Sequence, residues 1–150
     1  MDIIKHLDCS LRDGGYYNNW DFDNDLINQY LQVLESLNID FCEIGFRFYK
    51  NNGFKGSCAF TTEEFLESLT IPKNIKIAIM INANELISNE ELILDRLKKL
   101  IPLKASKSKV DMVRVACHSE IIEKILPVFD FIHNQGYISC CNITQISDKT

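Results

Sequence analysis

Three charged side chains, Asp8, Arg12 and Asp13, and a run of aromatics crowd around the paired glycines of the stretch His6 to Phe22, HLDCSLRDGGYYNNWDF. Arg12 cannot lose its charge, and its planar guanidinium can grip a carboxylate or an enolate oxygen through two parallel hydrogen bonds. Asp13 beside it is a hard oxygen ligand of the kind that Mg²⁺ or Mn²⁺ takes. Asp8 precedes them, and Tyr16, Tyr17 and Trp20 follow. A short apolar strand that delivers Arg and Asp to its C-terminal end, ahead of paired glycines, matches the floor of an α/β-barrel active site. Gly14-Gly15 is read as the point where the backbone turns sharply or approaches a ligand closely. An ordinary ion pair within a turn accounts for Arg12 and Asp13 equally well.

The elements that would position these groups follow from periodicity. Ile3 to Cys9 reads as a first strand, and Asp21 to Asp25 supplies helix-start chemistry. Leu26, Ile27, Tyr30, Leu31, Leu34 and Leu37 then recur at helical spacing. Phe41 to Gly45 is a second strand with Glu43 at its centre, and Phe46 to Phe60 is a long connection of the kind that is usually functional or mobile. Thr61 to Glu64 caps a short helix through Leu69. Pro72 and Asn74 turn the chain into a third strand, Ile75 to Ile81, whose unbroken apolar character suits a parallel strand covered on both faces. Ser88 to Glu91 starts a helix with Leu92, Ile93, Leu97 and Leu100 on its inner stripe. Met112 to Ala116 is a fourth strand ending in Cys117-His118. Ser119 then caps a helix that Pro127 should bend or break and that Gly136 closes. Tyr137 to Ile143 is the fifth strand.

Alternating strands and helices require a parallel sheet with right-handed crossovers. Arg12, Asp13, Glu43, Arg47, Asn82, His118 and Asn142 all fall at or near strand C-termini. An open doubly wound sheet would gather its ligand groups at one crevice, whereas a barrel collects them around one axis. The expected fold is therefore α/β: the N-terminal five βα units of a TIM barrel, filling residues 1–150 as a single partial domain. At 150 residues the chain is well short of the ~250 typical of eight such units, so truncation is the expected reason for its length.

Composition excludes several other classes. A formal net charge of −5 without a basic cluster argues against a nucleic-acid face. The apolar run Ile77 to Ile81 is too short to cross a membrane, and the N-terminus lacks a secretory signal's apolar region, so a cytoplasmic protein is expected. None of the six cysteines forms a CxxC pair, and reduced cysteines acting as small core hydrophobes are expected.

LDCSLRDGGYYNNWDF, CEIGFRF and VRVACHSE together resemble the 3-hydroxy-3-methylglutaryl-CoA lyase-like (DRE-TIM) metallolyases, in particular the aldolase branch that includes 4-hydroxy-2-oxovalerate aldolase. The resemblance runs through all five strands. It implies a metal-dependent carbon–carbon lyase whose divalent ion, Mn²⁺ or Mg²⁺, holds the pyruvyl or enolate oxygens of a 2-oxo acid. By position, Arg12 matches the catalytic arginine that stabilises the enolate, Asp13 the metal-binding aspartate, and Glu43 the acid that orders them. The family's His-x-His metal ligands have no counterpart among His6, His118 and His133. Tyr16 and Tyr17 stand where the related aldolases carry a basic histidine, so Tyr16 is a candidate proton relay or pocket wall. His118 is a candidate catalytic group or a helix cap, and Arg47, Asn82 and Asn142 are candidate substrate contacts.

The partners implied are a small 2-oxo acid and an aldehyde, with no nucleic acid and no membrane. A homo-oligomer, or a need for the missing C-terminal half, is also expected, and the 150 residues alone are expected to be inactive. Two alternatives stay open: a Claisen-type synthase joining an acyl-CoA to a 2-oxo acid, and a catalytically inert partial barrel that serves as a binding or assembly module.

Overall fold

The computed structural model describes residues 4–87 and 93–148. Five strands form one sheet in the order β1-β2-β3-β4-β5. They are β1 (Leu7–Asp8), β2 (Phe41–Phe46), β3 (Lys76–Asn82), β4 (Val110–Cys117) and β5 (Ile138–Ile143). Every neighbouring pair is parallel, with registers such as Leu7 to Phe41, Met80 to Arg114 and Ala116 to Asn142. A doubly wound sheet reverses its strand order at a switch point, and this one does not. Strictly sequential parallel order is the order of a barrel wall. The sheet's two edges, β1 and β5, are not joined to each other, so the chain is a five-stranded partial barrel rather than a closed one.

The helices that cover the sheet follow the apolar spacing. Asp23 caps α2 (Asn24–Ser36) by accepting from the Asp25 backbone N–H, and the helix buries Ile27, Leu31 and Leu34. Thr62 caps α3 (Glu63–Ser68) in the same manner. A four-residue helix, α4 (Ala83–Leu86), opens directly after β3 on an Asn82 cap. α5 (Ile93–Leu100) buries Leu97, whereas the Ser88-to-Glu91 start expected for it, and Leu92, lie outside the described residues. α6 (Ile122–Asn134) runs through Pro127 without interruption, so of the expected bend or break the break is absent. Its approach is a single 3-10 turn over Ser119–Ile121, and no side chain caps it, contrary to the Ser119 expectation. Gly136 does close it, at φ 87°, with its N–H donating to the His133 carbonyl.

The largest departure from expectation is at the first strand. Its paired residues are only Leu7–Asp8, and Ser10–Asn18 is a helix, α1, with Gly14 and Gly15 in its interior. The glycines do not make the turn. Gly15 is required by packing, because a Cβ there would lie 1.9 Å from Cδ1 of Trp20. The reversal comes later, at Asn19 and Trp20, whose φ values of 59° and 58° are left-handed. Trp20 folds back under the helix, almost wholly buried, and its indole N–H donates to the Arg12 carbonyl at 2.9 Å. The aromatic run thus holds the helix that carries Arg12.

Gly45 is fixed by a similar constraint. The β2–β3 register shifts between Glu43 and Gly45, and the Ser57–Ala59 turn lies against the strand there. A Cβ on Gly45 would sit 1.8 Å from the Cys58 carbonyl oxygen, a backbone atom that cannot swing aside. Gly45→Ala is expected to lower stability by about 1–3 kcal/mol or more. Urea denaturation checks this, and an unchanged midpoint would contradict the packing.

All six cysteines are free thiols, but only Cys42, Cys58 and Cys117 are buried; Cys9 and Cys140 are half-buried and Cys141 is exposed. The expectation of core cysteines holds for half of them. Burial pushes the Cys58 thiol up to about 12 and raises Cys42 further, from an ordinary value of 9.0. Above pH 9 the unfolded chain would release these protons while the folded chain keeps them, so stability should fall as pH rises from about 9 to 12. Cys42→Ala and Cys58→Ala together should flatten that slope in pH-dependent urea melts. Among the described residues, no helix is long and apolar enough to cross a membrane.

Candidate active site

Glu43 is the centre of the polar interior. It is wholly inaccessible, and a single oxygen, Oε2, accepts from Arg12 Nε at 2.8 Å and from Arg114 Nη1 at 2.9 Å. A buried carboxylate is tolerable only when paired and hydrogen-bonded. Here two cations from different elements, α1 and β4, share it. Burial works hardest against the charge on Arg12. The hydrogen bond and charge of Glu43, with Asp13, outweigh it and hold the guanidinium above its ordinary pKa. Arg114 is raised likewise: burial opposes its charge, and Glu43 is the largest of the favourable influences. Both stay fully cationic.

Arg12 also donates through Nη1 to the Asp13 carboxylate, which is itself largely open to solvent. Nη2 of Arg12 makes no hydrogen bond among the described residues. Its guanidinium lies 5.8 Å from the centroid of the Phe46 ring, and Tyr16 packs edge-on against both Phe46 and Trp20. Arg114 Nη2 donates to Asn142 Oδ1 at 2.9 Å, and its Nη1 also reaches Cys9 Sγ at 3.3 Å. Burial first, then the neighbouring charge of Glu43, raises the Cys9 thiol, which keeps it protonated.

Of these groups, Arg12 and Asn142 line one cavity of about 180 Å³ at the C-terminal ends of the strands, with Tyr16, Asn82, His118 and Thr144 also among its walls. Five of the residues expected from the sequence therefore meet in one place. Asn82 accepts the Asn84 N–H at 3.0 Å in its capping role, which leaves its own amide N–H groups for the cavity. His118 Nδ1 lies 3.3 Å from Thr144 Oγ1, and that hydroxyl donates to the Cys117 carbonyl at 3.2 Å. Tyr17 is 95% exposed and is not among the cavity walls.

Arg47 does not join them. Its three nitrogens are spent on the Thr61 carbonyl, the Leu100 carbonyl and Glu63, and its side chain is 4% exposed. It ties the β2 exit to α3 and α5 beside a separate cavity of about 330 Å³. Expected as a substrate contact, it lies outside the strand-end cavity with its nitrogens committed to the fold. Arg114, conversely, was not among the expected residues. The available signal was a charged residue inside the apolar strand VRVAC, since a guanidinium there must find a buried acid.

The fit to a divalent metal is incomplete. Among the described residues, no three His, Cys, Asp or Glu side chains come together to hold an ion. Asp13 offers an exposed oxygen but is paired to Arg12, and Glu43 Oε1, although unpartnered, is sealed from solvent. These residues do not by themselves compose a metal site.

The chain is similar to a crystal structure described as "the N-terminal domain of a putative aldolase from Bacteroides vulgatus", with 30% sequence identity and a TM-score of 0.79. The match covers 98% of this chain and 47% of that one, so the chain spans about half the length of its structural neighbour. No family model matches the chain, and no curated protein matches it. An aldolase-like α/β fold is what the comparison carries.

Proposed function

We propose that these residues form the strand-end site of an aldolase that cleaves or forms a carbon–carbon bond next to a 2-oxo acid. The observation that carries the reading is Arg12. It stands on the cavity wall, anchored through Nε to a buried carboxylate, with one terminal nitrogen uncommitted. The description of the Bacteroides vulgatus protein supports the aldolase part of it.

Retro-aldol cleavage leaves its electron pair in an enolate, whose negative oxygen must be stabilised where it develops. Arg12 is a preorganised charge for that oxygen. The hydroxyl proton of the cleaved alcohol needs an acceptor, and His118 is the better candidate of the two titratable wall residues. Thr144 Oγ1 reaches both the Cys117 carbonyl and His118 Nδ1, and with its proton on the carbonyl it accepts from the imidazole. That arrangement favours Nδ1 as the protonated nitrogen and leaves Nε2 as a free base. Tyr16 then serves as wall and hydrogen-bond donor. The proposal extends to divalent-ion dependence, with Asp13 as one oxygen ligand.

The test is enolisation. Protein expressed at its native length, incubated with pyruvate in D₂O with and without Mn²⁺, should exchange the methyl protons, followed by proton NMR. No exchange above the buffer rate, together with no cleavage of 4-hydroxy-2-oxo acids, would end this reading.

A further inference from the structure

We infer that Arg114 fixes Asn142 as a hydrogen-bond donor into the cavity, so that Asn142 and Arg12 together receive a ligand with two neighbouring oxygens, at least one of them anionic. The inference deepens the aldolase reading of the same site and rests on it for the identity of the ligand.

A side-chain amide has an oxygen end and a nitrogen end of nearly the same shape, and its orientation is set by its partners. A guanidinium has five donors and no acceptor. Arg114 Nη2 stands 2.9 Å from Asn142, so the amide oxygen must face it and the NH₂ group must face elsewhere. Asn142 lines the cavity, and its nitrogen donates to no group among the described residues. Arg114 cannot turn away to release it, because Nη1 is bound to Glu43 at 2.9 Å and the side chain is 11% exposed.

The same Glu43 oxygen holds Arg12. One buried carboxylate therefore sets the orientation of Arg12 directly and of Asn142 through Arg114, across β2, β4 and β5. No aspartate or glutamate belongs to the cavity lining, so nothing in the wall repels an anion. Arg114 is on this account a positioning residue, and Asn142 is the group that touches the ligand.

Asn142→Asp separates this from a packing role. The new carboxylate would pair with Arg114, which preserves the fold, while it replaces a neutral donor with a negative acceptor. Oxalate and pyruvate, titrated calorimetrically into protein of native length, are the probes. Oxalate affinity should fall at least about tenfold in Asn142→Asp, the worth of one charge-assisted hydrogen bond, with the melting temperature unchanged or raised. Asn142→Ala, which only deletes the donor, should weaken oxalate less than the aspartate does. The inference is overturned if Asn142→Asp binds oxalate as tightly as wild type, if alanine is the more damaging change, or if the wild type binds neither probe. Loss of oxalate binding in Asn142→Asp, alongside a wild type that enolises no pyruvate, would leave this inference standing and remove the aldolase reading.

Discussion

Arg12→Ala should reduce retro-aldol turnover by at least about 10²–10³-fold, the loss of one preorganised charge aimed at a developing oxyanion. The effect should fall on kcat as well as on kcat/KM, because the interaction strengthens only as charge moves onto the oxygen. Two features favour the upper end of that range. The guanidinium is mostly buried, which limits screening by water, and Glu43 holds Nε, so little reorganisation is needed during reaction. Arg12→Lys is expected to recover little. A lysine carries the charge but cannot bind Glu43 through one nitrogen while presenting another to substrate. Steady-state kinetics on both variants decides the matter, and near-wild-type turnover of the alanine variant would remove Arg12 from the chemistry.

Glu43→Ala should be the most destabilising single change in the site, by about 3–5 kcal/mol, since it strands two mostly buried guanidiniums without their shared counter-charge. For a domain of this size that corresponds to a fall in melting temperature of roughly 10 °C. Glu43→Gln keeps the shape and one acceptor oxygen but cannot balance two cations, so it should lie between alanine and wild type. Glu43→Ala with Arg114→Met should recover part of the loss, because the stranded charge goes with the carboxylate. Thermal melts of wild type, Glu43→Ala, Arg114→Met and the double variant form a cycle that isolates the coupling. If Glu43→Ala melts with wild type, the buried pairing is not what holds β2 to β4.

Much of the molecule was readable before any coordinates. Alternating apolar runs and amphipathic stretches specify parallel βα units, because a strand buried on both faces and a helix with one apolar stripe each have one stable partner. Placement of the chemistry was legible for the same reason. Once strands are parallel, the residues at their C-terminal ends share one side of the sheet, and Arg12, Asn82, His118 and Asn142 do meet there. Local propensity was less reliable. Gly14-Gly15 suggested a turn, but the burial of Trp20 beneath α1 supplies more than two glycines cost a helix.

Only the tertiary structure could decide which charges face each other. Arg47 and Arg114 look alike in sequence, each a lone cation near the end of an apolar strand. The β2 exit aims Arg47 at Glu63, α3 and α5, whereas the pleat of β4 aims Arg114 at Glu43. Side-chain direction in a strand changes face with every residue, and the register shift at Glu43 to Gly45 alters that count. The residue types and spacing determined that a cationic site would stand at the strand ends. Which arginines serve it was set by register and packing.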